Sequence, residues 1–185
     1  MARTESSMLP LATQAPHFQL KDVRDGTSHS TESLMGSKGL LVMFICAHCP
    51  FVQHVEHELA RLGTEYQRSG IGIVAISSND ADSYLDDAPP GLARQSGRLG
   101  FVFPYLYDQT QEAARAFDAT CTPDFFLFDS AGKLVYRGQL DSSRPGNGIP
   151  VTGADLRAAM DALIAGKPVS REQRPSLGCN IKWRK

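Results

Sequence analysis

Residues Leu40 to Ile45 form an unbroken apolar run that leads into Cys46-Ala47-His48-Cys49-Pro50, after which apolar residues recur at helical spacing. Such a run reads as a buried strand of a parallel sheet that feeds directly into a helix. This places Cys46 at the helix N-terminus, where free N–H groups and the positive end of the dipole favour a thiolate over a thiol. His48 lies between the cysteines and can add positive charge or a hydrogen bond. Cys49 follows about one helical turn on and can close a small disulfide with Cys46. A reactive thiolate with a resolving thiol beside it is the equipment of thiol–disulfide exchange.

The chain has 185 residues, 42% of them apolar, which predicts a single domain over 1–185 with a core of its own. A formal charge of −1 leaves no electrostatic footprint for nucleic acid or an anionic membrane. Partners are expected from the chemistry instead: protein or small-molecule disulfides, and an external thiol as electron donor. Residues 1–14 lack the apolar core of a signal peptide or membrane span, which predicts a cytoplasmic protein. Four cysteines in a reducing compartment argue against a disulfide framework and leave redox catalysis, metal binding or inert burial.

Phe18, Leu20 and Val23 run into Asp25-Gly26, predicting a β-hairpin at one edge of the sheet. Gly39 to Ile45 is the central strand, and Val52, Val55, Leu59, Leu62 and Tyr66 form one stripe of the following helix, with Pro50 in its first turn. His54, His57 and Arg61 fall on the opposite face. Ile71 to Ile76 completes a right-handed βαβ unit. A polar excursion from Ser77 to Gly100, with a helix over Gly91 to Arg98, returns to the sheet at Phe101 to Tyr107. Asp108-x-x-Gln111 reads as a capping box for a helix through Phe117, and Thr152-x-x-Asp155 as the cap of a final helix carrying Leu156, Met160, Leu163 and Ile164. Between them, Phe125 to Phe128 and Leu134 to Tyr136 flank a turn and predict a second hairpin. In the polar tail, Cys179, Ile181 and the only Trp, Trp183, have little reason to exist unless residues 167–185 dock on the domain. Burying each such apolar side chain contributes roughly 1.5–3 kcal/mol.

This order of elements, with His48-Cys49-Pro50-Phe51-Val52, Cys121-Thr122-Pro123-Asp124, Tyr136-Arg137-Gly138 and Gly178-Cys179-x-Ile181-Lys182-Trp183, resembles the thioredoxin-like redoxins. The likeness is closest to the alkyl-hydroperoxide-reductase/thiol-specific-antioxidant branch, and to a bacterial subgroup carrying those motifs. It implies an α/β thioredoxin-like fold: a central mixed sheet flanked by helices, with an N-terminal hairpin and an inserted helix. It further implies a thiol–disulfide oxidoreductase without a dissociable cofactor, in which Cys46 attacks, Cys49 resolves and His48 tunes the thiolate. Pro123 would be cis and face the cysteines, and the Thr122 backbone would pair with an extended substrate. Cys121, Cys179 and Arg137 are candidate auxiliary groups, Cys179 as a thiol reaching Cys121 or the Cys46–Cys49 pair.

Two departures from that pattern bear on mechanism. Thioredoxins carry an acidic residue six positions before the first cysteine, and Leu40 stands there, so proton relay falls to water, His48 or another group. Peroxiredoxins carry a Thr or Ser three residues before the peroxidatic Cys, and counting back from Cys49 or Cys46 gives Cys46 or Met43. A thiol peroxidase lacking that hydroxyl is therefore the alternative enzyme. A zinc-binding or redox-sensing adaptor is the non-enzymatic one, although Cys121 and Cys179 are single and far apart, so no metal ligand set is predicted. His54 and His57 have one-turn spacing, which suits metal ligands but more commonly marks a solvated helix face.

Overall fold

The apolar run of residues 40–45 is buried from end to end, and the sheet is assembled around it. The computed structural model describes residues 3–184. The chain opens with a short strand β1 (Arg3–Glu5), a hairpin of β2 (Gln19–Asp22) and β3 (Ser28–Ser30), and one helical turn α1 (Thr31–Leu34). Then come β4 (Gly39–Phe44), α2 (Pro50–Tyr66), β5 (Ile71–Ser77), a 3-10 turn over Leu85–Asp87, α3 (Pro89–Leu99), β6 (Tyr105–Tyr107) and α4 (Glu112–Ala116). The last third holds β7 (Cys121–Thr122), β8 (Asp124–Asp129), β9 (Leu134–Gly138), α5 (Ala154–Ile164) and β10 (Leu177–Asn180).

Seven strands form one mixed sheet in the order β3-β2-β6-β5-β4-β8-β9. β4 pairs parallel with β5 and antiparallel with β8, and β5 pairs parallel with β6. Alternation along β4 sends Leu41 and Met43 into the core layer with Val52, Leu59 and Leu62 of α2 and Leu156 and Met160 of α5. Leu40, Val42 and Phe44 enter the opposite layer, where Phe117 meets Phe44 and Phe126 edge-on. The chain thus has the thioredoxin-like architecture of a mixed sheet covered by helices on both faces. The N-terminal hairpin forms as expected, with β3 at the sheet edge.

Both expected capping boxes differ in detail, for one reason. Gly153, at φ +67°, takes the N-cap of α5, and the carboxylate of Asp141 accepts from Thr152 N and Gly153 N. Gln111, at φ +62°, takes the N-cap of α4, while Asp108 accepts from Ala113 N and Ala114 N. The Gln111 amide is used elsewhere, donating to the carbonyls of Ser78 and Lys182. The returning strand is also shorter than expected, because Phe101 and Phe103 stack on each other (4.7 Å between centroids) ahead of it.

The tail enters a second, three-stranded sheet in the order β1-β10-β7. Cys179 stands opposite Thr122 in that ladder and opposite Arg3 on the other side. Gly178 is required there, since a Cβ would lie 1.9 Å from the Thr122 carbonyl oxygen. Beyond β10, Ile181 N donates to Thr120 O and Lys182 N to Asn79 Oδ1. Ile181 is 1% exposed, but Trp183 is 39% exposed and sits 4.5 Å from the Arg115 guanidinium. Of the two residues expected to anchor the tail, Ile181 does so by burial and Trp183 only by a surface cation–π contact. Replacing Ile181 by Ala should therefore cost about 2–5 kcal/mol in urea unfolding, and Trp183 by Ala no more than about 1 kcal/mol. Equal losses would show that the two side chains share the anchoring.

Candidate active site

β4 stops at Phe44, and its direction carries the chain one step further, with Ile45 N donating to Ile76 O. Cys46 to Cys49 then form a turn before α2. Proline suits the first helical position because its φ is preset and its missing N–H is not needed there. Pro50 takes that position, so Cys49 is the N-cap. The expectation that Cys46 starts the helix is corrected accordingly: it lies three residues upstream of the cap.

The turn is held by Asp87, a fully buried carboxylate from the 3-10 turn. Its Oδ1 accepts from Ala47 N (2.8 Å) and His48 N (3.1 Å), and its Oδ2 from Asn79 Nδ2 (2.8 Å) and the Nδ1 side of His48. Burial pushes its pKa up, but the hydrogen bonds from His48 and Asn79 outweigh burial and hold it below the ordinary carboxylate value. His48 stacks on Tyr84 at 4.8 Å and has no partner at Nε2 among the described residues. Cys46, His48 and Asp87 each present a donor atom within 4.8 Å of the others.

On the far side of the thiols, the Thr122-Pro123 bond is cis. Thr122 Oγ1 lies 3.4 Å from Cys46 Sγ, and its carbonyl oxygen 3.4 Å from Cys49 Sγ. β10 places Cys179 Sγ 2.7 Å from Cys49 Sγ. Cys46, Cys49 and Cys179 are all buried.

The surroundings divide the sulfurs sharply. Cys49 is lowered to about 5, chiefly by a hydrogen bond from the Cys46 thiol, with Cys179, the Val52 N–H and Thr122 adding to it against the opposing effect of burial. Cys46 is pushed well above the ordinary thiol value, first by burial, then by the adjoining Cys49 and the negative charge of Asp87. Burial also raises Cys179, to about 12, with Cys49 reinforcing the shift, while Lys182 and the Phe51 N–H oppose it. These surroundings favour negative charge on Cys49 over Cys46, whereas the sequence reading places the thiolate on Cys46.

Behind Cys46 lies a buried polar chain that the sequence did not disclose. Gln95 donates to the Cys46 carbonyl (3.3 Å) and to Glu56 Oε2 (3.1 Å), and Tyr105 OH donates to Gln95 Oε1. Leu40 contributes nothing polar and packs in the opposite core layer. Asp87, Asn79 and Gln95 carry no signal in the sequence because isolated polar residues in an irregular stretch form no pattern, and Glu56 reads as one more polar position of a patterned helix. Two candidate auxiliary groups lie apart from the thiols. Arg137 donates to the Leu9 carbonyl and to Gln173 Oε1, tying terminal segments to β9. Cys121 alternates away from Thr122 and meets the Pro123 carbonyl at 3.8 Å, with its pKa raised by burial and by Asp124 against hydrogen bonds with Ser6 and Thr120. His54 pairs with Ser143 Oγ at 2.8 Å and His57 is exposed, so the two do not converge on a ligand.

The Redoxin family model matches residues 10–156. Thiol-disulfide oxidoreductase ResA of Geobacillus thermodenitrificans is 24% identical over 131 residues, covering 71% of this chain and 70% of that protein. ResA of Halalkalibacterium halodurans is 25% identical over the same length, 71% of this chain and 69% of its own. Among solved structures, an uncharacterized conserved protein from Geobacillus kaustophilus superposes with a TM-score of 0.98 at 54% identity, covering 100% of this chain and 97% of its own. A thiol:disulfide interchange protein of the thioredoxin family from Chlorobium tepidum shares the fold at TM-score 0.62 and 21% identity, over 87% of this chain and 99% of its own.

The thiolate assignment predicts a pH dependence with a definite sign. Cys49 has a folded pKa near 5 against 9.0 for a free thiol, so its contribution to stability is full above about pH 9 and is lost as pH falls through 5. The thermal midpoint of the reduced protein, measured relative to Cys49→Ser, should rise between pH 5 and 9. Thiolate absorbance near 240 nm should titrate with a midpoint close to 5, move upward in Cys46→Ala and vanish in Cys49→Ser. A low-pH titration that survives in Cys49→Ser would return the thiolate to Cys46.

Proposed function

The chain belongs to the Redoxin family, among the thioredoxin-like thiol–disulfide oxidoreductases, and from that premise we propose that it reduces or exchanges disulfides through Cys49 and Cys46. The observation that carries this reading is geometric: Cys49 caps α2, Cys46 lies in the turn before it, and the cis Thr122-Pro123 segment borders both sulfurs, in surroundings that favour negative charge on Cys49. The Cys49 thiolate attacks one sulfur of the substrate disulfide, and the departing thiolate takes a proton. The Cys46 thiol then gives up its proton, attacks Cys49 and releases the second substrate thiol, leaving a Cys46–Cys49 disulfide for an external thiol donor to reduce. His48 has its ring orientation fixed by Asp87 and its Nε2 unpartnered, which suits it to carry the Cys46 proton. Thr122-Pro123 borders both sulfurs and belongs to the substrate face. The same reading takes residues 1–185 as one redoxin unit, with the tail 167–185 part of it, working in the cytoplasm. No helix among the described residues is long and apolar enough to cross a membrane.

A thiol peroxidase is the second reading, favoured by one observation. The hydroxyl missing from the sequence upstream of either cysteine is supplied in space by Thr122, whose Oγ1 lies 3.4 Å from Cys46 Sγ. A zinc site built on Cys46, His48 and Asp87 fits less well, because both Asp87 oxygens already accept hydrogen bonds and a closed structural zinc site takes four ligands.

Parallel assays on the reduced protein, with a protein disulfide and with hydrogen peroxide, separate these readings. Disulfide turnover should fall to background in Cys49→Ser, and Cys46→Ser combined with Cys179→Ser should accumulate a mixed disulfide on Cys49. Peroxide consumption that exceeds disulfide turnover and collapses in Thr122→Val would favour the peroxidase. Stoichiometric zinc in the purified protein, lost in His48→Ala, would favour the adaptor.

A further inference from the structure

Cys179 is delivered to the thiols by backbone pairing. β10 lies antiparallel on β7 with Cys179 opposite Thr122, and Gly178 permits a closeness to the Thr122 carbonyl that no side chain would. The tail is fixed on either side of that point. Ser6 Oγ donates to Asp124 and accepts from Ser176 N, and beyond β10 the Lys182 backbone is held by Asn79 and Gln111. The result is a sulfur 2.7 Å from Cys49 Sγ, from a residue 130 positions away in the chain.

Its electrostatic setting also differs from that of Cys46. Cys46 faces the Asp87 carboxylate, which opposes negative charge on its sulfur, whereas Cys179 has the Lys182 ammonium and the first-turn Phe51 N–H of α2. In thiol–disulfide exchange the sulfur that leaves carries negative charge, and it leaves faster where that charge is stabilised. Burial raises both neighbours of Cys49 above the ordinary thiol value, but at Cys179 a cation and a helix N–H oppose the rise.

We propose that Cys179 is the third redox thiol of this site, forming a Cys49–Cys179 disulfide that exchanges with Cys46–Cys49. The proposal rests on the thiol–disulfide reading above and extends it. Once Cys49 has attacked a substrate disulfide and released the first substrate thiol, the Cys179 thiol passes its proton to the second departing sulfur and attacks Cys49. Two protein thiols become one disulfide, and one substrate disulfide becomes two thiols. Cys46 then attacks Cys49 and expels Cys179, which takes the Cys46 proton; this step moves the disulfide inward with no net oxidation.

The test uses the full chain in a Cys121→Ser background and the aromatic disulfide 5,5′-dithiobis(2-nitrobenzoate), which releases a coloured thiolate at each exchange. Reduced Cys46→Ser should release two such thiolates per chain, lose the mass of two hydrogens and yield a Cys49–Cys179 cross-linked peptide. Cys46→Ser with Cys179→Ser should release one and stop at a mixed disulfide on Cys49. Gly178→Ala, in the Cys46→Ser background, should reduce the cross-link by displacing β10 while leaving the first release intact. If Cys46→Ser stops at the mixed disulfide with Cys179 free, while the chain with Cys46 restored releases two thiolates and closes Cys46–Cys49, the third thiol is refuted and the oxidoreductase reading stands. If Cys49 fails to react in any variant, both fall.

Discussion

A buried carboxylate governs this site. Asp87 is removed from water, which is costly for an anion unless donors replace the lost solvent, and here two backbone N–H groups, Asn79 and His48 supply them. Those hydrogen bonds hold the Cys46–Cys49 turn clear of the helix that follows. The charge then acts on the sulfurs. Cys46 Sγ lies within 4.8 Å of an Asp87 oxygen, and burial first, then the adjoining Cys49 and that carboxylate, disfavour a thiolate on it. One carboxylate thus fixes the backbone geometry of the motif and adds to the burial that sets Cys46 apart from Cys49.

Much of the fold is legible in sequence because its signals are local. The β4–α2–β5 unit, the N-terminal hairpin and the β8–β9 hairpin follow from apolar period and turn chemistry within short windows. The caps were half readable: Asp108 serves the first turn of α4 at Ala113 and Ala114, but the Gln111 amide is used elsewhere, and the backbone N–H groups of Thr152 and Gly153 are held by the distant Asp141. The site shows the same division. Cys46, Cys49, His48, Thr122 and Pro123 are marked by motif, whereas Asp87, Asn79 and Gln95 acquire their roles only when the polar excursion between β5 and β6 folds back over the turn.

The inverted assignment of the two cysteines has the same origin. Counting along the chain assigns the helix N–H groups to the first cysteine, but Pro50 moves the cap to Cys49, and the tail brings Cys179 to the Phe51 N–H. The N-terminus of α2 therefore serves the second cysteine of the motif and a cysteine from the far end of the chain. Cys46, which the strand delivers first, is left facing a carboxylate.

This arrangement bears on which substrates can reach the sulfurs. β7 is two residues long, and its Thr122 backbone is already paired with β10, so the edge that an extended peptide would use is filled by the chain itself. Displacing β10 pulls on Ile181, whose burial contributes roughly 1.5–3 kcal/mol, and a factor of ten in affinity corresponds to about 1.4 kcal/mol. A protein disulfide that needs this edge therefore binds roughly ten- to a hundredfold more weakly than it would to an open one. A small disulfide reaching Cys49 by local fraying of the cover would escape most of that cost.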